Sequence, residues 1–177
     1  ASALGHSGIG IIRVSGPLAR SIAKHILHTD IKPRYAYYGT FYGNDNSIVD
    51  KGVAILFSAP NSFTGEDVVE FHGHGGSRVL RKLLETIIES NVRLAEPGEF
   101  TKRAFLNGKM DLIQAEAVQD LIQSNSEESA LSAVRSLTGE FSAKINKILS
   151  ELVSLRVFVE ATIDFSDEEI DFLESHE

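Results

Sequence analysis

Hydrophobic and polar positions follow two different rhythms along this chain of 177 residues. The first part has short apolar runs punctuated by glycine and proline. Gly10-Ile-Ile-Arg-Val14 predicts a short buried strand, and Ser15-Gly-Pro17 predicts a helix start, since proline is tolerated in a first helical turn. Leu18, Ile22, Ala23, Ile26 and Leu27 would form that helix's apolar face. Two aromatic and β-branched runs follow, Tyr35–Tyr42 and Ile48–Phe57. The turn-forming Gly43-Asn-Asp-Asn46 lies between them, which predicts a hairpin. Val68–His72 predicts another strand. Leu80, Leu83, Leu84, Ile87 and Ile88 recur at helical spacing and predict a helix from about Ser77 to Ser90. A short strand near Val92–Ala95 completes the expected α+β layer.

The second part reads differently. Val134, Leu137, Phe141, Ile145, Ile148, Leu152, Leu155 and Val159 step by three and four, a mean spacing of about 3.6 residues, which is one stripe on one helix. A helix over about 127–163 would be on the order of 55 Å long at 1.5 Å per residue. The rest of the chain cannot cover such a stripe. Partner helices are therefore expected from another subunit or from sequence beyond this one.

Composition sharpens this division. Residues 1–110 carry 13 Lys+Arg against 10 Asp+Glu, whereas residues 111–177 carry 4 against 15. All four prolines, and 13 of the 14 glycines, also precede residue 110. A domain boundary is expected at about 108–112, giving an α+β domain over 1–110 and an all-α segment of long helices over 111–177. The acidic second part is a poor surface for direct nucleic-acid binding, because phosphate contacts demand Lys and Arg. With no cysteine, disulfide scaffolds, Cys-based zinc sites and thiol nucleophiles are excluded. No apolar run reaches the ~18 residues of a membrane span. Ala1-Ser-Ala-Leu-Gly5 does not read as a secretory signal, and the lack of an initiator Met suggests trimming or an incomplete sequence.

Three segments are more polar and glycine-rich than a fold requires. In Gly8-Ile-Gly-Ile-Ile-Arg13, Arg13 stands where a dinucleotide-binding turn needs its third glycine. A mid-strand guanidinium in a buried setting is expected to need an anionic or carbonyl partner. The second segment is Asn61-Ser-Phe-Thr-Gly-Glu-Asp67 with Val68-Val-Glu-Phe-His-Gly-His-Gly-Gly76. On a continuing strand Glu70, His72 and His74 would share one face, a plausible metal set or simply a polar solvent-facing side. A lone carboxylate at Glu70 has another use, since it can accept two N–H bonds from an aminopyrimidine edge. The third segment runs from Glu96 to Asp111. Lys102, Arg103 and Lys109 make it the most basic stretch, either a solvated helical face or an anion-binding one. No Gly-x4-Gly-Lys-Ser/Thr occurs, so the chain carries no P-loop and is not expected to hydrolyse nucleotides itself.

Taken together, these motifs resemble the N-terminal part of the MnmE/TrmE family of tRNA modification GTPases. The matching stretches are Gly10–Gly16, Pro60–Asp67, His74-Gly-Gly76, Pro97–Lys109, Gln114–Ala117 and Ile163–Leu173. The resemblance implies a tetrahydrofolate-binding, aminomethyltransferase-like domain that also forms a homodimer. A helical domain would follow, with a Ras-like GTPase module inserted into it after this chain's last motif. The family's GTP, Mg and K would be bound by that module. It implies cytoplasmic work with a flavin-dependent partner of the MnmG/GidA type at C5 of the wobble uridine of tRNA. A reduced folate such as 5-formyltetrahydrofolate would be the one-carbon donor. By motif position, the folate contacts implied are Arg13, Glu70 and Lys109, with no catalytic residue and no metal ligand in this chain. Glu70 would suit the aminopyrimidine edge of the pterin; Arg13 and Lys109 would suit the polar tail. The pattern also implies a strand before Ala1, and His6 stands where Arg or Lys is commoner. Two alternatives remain at this stage: a metal-dependent hydrolase using Glu70, His72 and His74, and a pure oligomerisation module.

Overall fold

A computed structural model describes residues 7–164. They fall into two compact units that divide between Met110 and Asp111. The N-terminal unit is built on a four-stranded antiparallel sheet: β1 (Gly10–Ser15), β2 (Tyr37–Tyr42), β3 (Ile48–Phe57) and β4 (Val68–Gly73), in the order β1-β4-β3-β2. The hairpin β2–β3 closes through Gly43–Ser47, where Gly43 N–H donates to Ser47 O at 2.8 Å and Asp45 Oδ1 accepts from Ser47 N–H and Oγ. Helices α1 (Ala19–Leu27) and α2 (Ser77–Ile88) cover one sheet face.

Because side chains alternate along a strand, that face is set by the apolar parity. Val14 on β1, Ala54 and Leu56 on β3, and Val69 and Phe71 on β4 point into the core with Ile22, Ile26, Leu83 and Ile87. Phe41 and Phe71 meet edge to face at 5.5 Å. The opposite parity, Arg13 and Ser15 on β1 with Glu70 and His72 on β4, lies on the other face. Helix α3 (Glu99–Leu106) and the 58–67 segment between β3 and β4 contribute to that side.

The strand expected near Val92–Ala95 does not form; these residues have no regular structure. Strand propensity makes a strand only with backbone pairing in register, and these residues form none.

In the C-terminal unit, α4 (Leu112–Gln123) starts from a capping box in which Asp111 accepts from Gln114 N–H and Gln114 Oε1 accepts from Asp111 N–H. The single long helix expected over 127–163 is two helices, α5 (Glu127–Leu137) and α6 (Glu140–Asp164). Gly139 sits at φ +86° between them, and Gly139 N–H donates to Ser136 O. This left-handed residue ends α5 in the usual glycine manner. Gly139→Ala is therefore expected to lower stability by about 1–2 kcal/mol, read by urea unfolding followed by circular dichroism; an unchanged midpoint would show that the junction tolerates a side chain. No residue of α6 is buried. An α+β sheet unit followed by an all-helical unit is the class expected from the sequence. No described helix is long and apolar enough to cross a membrane.

Candidate functional site

The sheet face opposite α1 and α2 brings two of the three expected site residues together. Arg13 and Glu70 are directly opposite in the β1–β4 pairing, where side chains on one face stand about 4.5–5.5 Å apart at Cβ. They make no ion pair with each other. Glu70 Oε2 instead accepts from His72 Nε2 at 3.0 Å, with both side chains roughly three-quarters buried. A carboxylate offers about four lone-pair positions, so Glu70 keeps acceptor capacity for a ligand.

Arg13 was expected to find an anionic or carbonyl partner, and it finds aromatic rings. Its guanidinium carbon lies 4.6 Å from the centre of the Phe100 ring and 5.9 Å from that of Phe63. Its Nε is buried with no hydrogen-bond partner in the protein. A cation held by ring faces is partly compensated, but its in-plane N–H donors stay available. Burying such a donor is unfavourable unless something else uses it. Arg13 also lines a cleft of about 290 Å³ along β1, whose walls include Leu84, Asn91, Glu99 and Arg103 but neither Glu70 nor Lys109.

Lys109, the third expected residue, has no polar contact with Arg13 or Glu70 and lies against the 58–67 segment instead. It follows α3, and its Nζ donates to Pro60 O at 3.0 Å. Nearby, Asn107 Nδ2 donates to Thr64 O at 2.7 Å. Gly65 has φ +78°, and a Cβ there would lie 3.2 Å from both Asn107 Cβ and Lys109 Cγ. Glycine is thus needed both for the backbone conformation and for the close approach. In this way the 58–67 segment and the end of α3, two motifs far apart in the chain, form one wall.

That wall is held by residues that sequence reasoning missed. Arg103 Nη1 donates to Glu66 at 3.0 and 3.1 Å, while its Nε and Nη2 reach Glu99. Ser15 Oγ donates to Glu66 Oε2 at 2.8 Å, so the 2.6 Å contact between Ser15 Oγ and Thr64 Oγ1 has Thr64 as its donor. The basic stretch predicts a solvated or anion-binding face for Arg103; its anions are Glu66 and Glu99. The signal available in the sequence was Thr64-Gly-Glu66, a polar trio whose purpose depends on a contact no local pattern encodes.

Glu99 also receives three hydrogen bonds from neighbours outside this wall, from Arg93 Nη2 at 2.6 Å, Arg93 Nη1 at 2.8 Å and Glu96 N–H at 2.8 Å. The Arg93 bond, then the Glu96 N–H and the Arg103 bond, hold its carboxyl far below the usual carboxylate range. A depressed folded-state value contributes stability that is fully present above the unfolded pKa of about 4.3 and is lost as pH falls through the folded value. Glu99→Gln should consequently lose stability at pH 5–8, with the gap to the unaltered protein closing below about pH 4.3. Unfolding titrations across pH check this, and a pH-independent gap would remove the carboxylate charge from the account.

The metal set expected from strand alternation is corrected by the structure. Glu70 and His72 do share a face, but β4 ends at Gly73. His74 turns to Asp50, whose carboxylate accepts from His74 N–H and Nδ1 at 2.7 Å each. Among the described residues no group of three His, Asp or Glu side chains is arranged to hold a metal ion.

A small antiparallel sheet domain with a half-buried arginine and glutamate facing each other across two strands, followed by a helical unit, defines an α+β module joined to a helical one. Residues 1–109 match the family described as GTP-binding protein TrmE N-terminus, and residues 112–177 match the one described as MnmE helical domain. The chain belongs to the TrmE/MnmE family. It is 59% identical over 174 residues to the tRNA modification GTPase MnmE of Vesicomyosocius okutanii, covering 98% of this chain and 39% of that protein. It is 56% identical to the protein of the same name from Mannheimia succiniciproducens, covering 98% of this chain and 38% of that one. The chain thus spans about two-fifths of the length of these curated relatives. The last motif of the sequence analysis, Ile163–Leu173, and His6 lie wholly or mainly outside the described residues.

Proposed function

We propose that this chain is the reduced-folate-binding and dimerising part of a cytoplasmic tRNA modification GTPase. The whole protein would act with a flavin-dependent partner at C5 of the wobble uridine. Residues 1–110 bind the folate and carry the self-association surface; residues 111–177 are the first part of the helical domain. GTP, Mg and K belong to a module elsewhere in the full-length protein. The name shared by the relatives supports the reaction.

The observation that carries the ligand is the Arg13–Glu70 juxtaposition. A carboxylate and a guanidinium stand side by side on one sheet face, neither neutralising the other. This fits a reduced folate, whose aminopyrimidine edge presents two N–H donors and whose tail presents acceptors and carboxylates. Glu70 accepts from the first in bidentate fashion. Arg13, still with N–H donors to give, and Lys109, on the wall beside them, receive the second. When bound, the folate supplies the one-carbon unit. Self-association is supported by the exposed Tyr38 on the edge strand β2 and the exposed Tyr35 just before it, an edge that folded proteins ordinarily cover.

Arg13→Met keeps the apolar stem between the rings and removes the donors. It is expected to weaken 5-formyltetrahydrofolate binding by about 1–3 kcal/mol, the usual loss for a charged hydrogen-bonding partner. Equilibrium dialysis of the folded variant checks this, and unchanged affinity would remove Arg13 from the site.

A further inference from the structure

We propose that the Glu66–Arg103 ion pair is a positioning clamp: by tying the 58–67 segment to α3 it sets the two rings, Phe63 and Phe100, between which the Arg13 guanidinium is held. The proposal rests on the reading that Arg13 binds the folate, and it concerns residues that touch no ligand in that reading.

The argument begins with what fixes Arg13. Its Nε has no hydrogen-bond partner in the protein, so ring contacts at 4.6 and 5.9 Å orient it. Ring contacts have broad angular tolerance compared with a forked hydrogen bond. The guanidinium therefore goes where the rings go. Phe63 belongs to the inter-strand segment and Phe100 to the first turn of α3; Asn107 and Lys109 tie the C-terminal end of α3 to Thr64 and Pro60, and within the helix itself the tie is Arg103 to Glu66. Arg103, one turn on from Phe100, grips both oxygens of Glu66, three residues on from Phe63. The same carboxylate accepts from Ser15, two residues along β1 from Arg13 and on the same face. One carboxylate thus connects the strand that carries Arg13 with both segments that carry its rings. The other side of Arg103 is fixed by Glu99, so the fork cannot swing away without breaking four contacts.

Both partners are about two-thirds buried or more, at 35% and 27% side-chain exposure. A purely structural pair would contribute to stability alone, whatever occupies position 13. A positioning pair acts on binding through Arg13, and this difference can be measured.

The experiment is a double-mutant cycle on the full chain, with 5-formyltetrahydrofolate as the probe and thermal unfolding measured in parallel. Arg103→Met is expected to weaken binding about tenfold when Arg13 is present and less than about twofold in the Arg13→Met background. Its loss of thermal midpoint should be the same in both backgrounds. Arg103→Lys, which keeps charge but not the fork, should fall between. It also provides a folded comparison if Arg103→Met does not fold. Equal fold-losses in both backgrounds, or no loss in either, would overturn the proposal. A ligand-free readout separates this outcome from failure of the folate reading. The Arg13 Nε–H resonance, shifted by the Phe100 ring current, should move toward its free-arginine position in Arg103→Lys. An unmoved resonance would overturn the clamp even if folate binds, and a moved one with no folate binding would leave the clamp standing and overturn the ligand.

Discussion

Phe71→Ala is expected to lower the unfolding free energy of the sheet unit by about 3–5 kcal/mol. Phe71 is fully buried at the middle of β4, a strand paired on both sides, with Ile12 and Ala54 as its register neighbours and Phe41 edge-on at 5.5 Å. Truncation removes one of the two fully buried phenylalanines of the core and leaves a cavity that the two flanking strands are too constrained to fill. Domains have a total stability of only about 5–15 kcal/mol. The variant should therefore unfold at much lower urea, with an unchanged denaturant slope if only the native state is affected. A loss below about 1 kcal/mol would mean that the site collapses around the gap and that β4 does not centre the core.

One residue earlier in the chain, on the other side of the same strand, the opposite behaviour is expected. Glu70→Ala should leave the unfolding midpoint nearly unchanged and weaken 5-formyltetrahydrofolate binding by about 1–3 kcal/mol, roughly 5- to 150-fold. Among the described residues Glu70 has His72 as its side-chain polar partner, on a face outside the main core cluster. Its loss removes an acceptor from the ligand without opening a core cavity. The effect should follow the pterin half of the ligand: affinity for p-aminobenzoylglutamate, which lacks the aminopyrimidine edge, should not change. Equal weakening of both ligands would place Glu70 at the tail or make its role indirect.

These two neighbours also show what the sequence could and could not disclose. The strands β1, β3 and β4 were legible from their apolar and β-branched runs, and α1 and α2 because their stripes are local. The break at Gly139 was hidden by the regularity of the stripe, which steps from Leu137 to Phe141 as though nothing intervened. One glycine in an otherwise periodic helix is a weak stop signal. His74 was placed with Glu70 and His72 by assuming that β4 runs on; Gly73 ends it, and Asp50 captures the turn. Arg13 and Glu70 could be singled out individually by residue type and by resemblance. Their lack of mutual neutralisation could not, because it depends on strand register and on rings supplied by two distant segments. The Glu66–Arg103 pair was illegible for the same reason, since each partner has a local explanation that the fold supersedes.

The measurement that tests the central claim most directly is a calorimetric titration of the folded chain with 5-formyltetrahydrofolate, with its oligomeric state recorded on the same sample. The account predicts saturable binding near one folate per chain by a dimeric protein. A folded, dimeric sample that releases no saturable heat would contradict it.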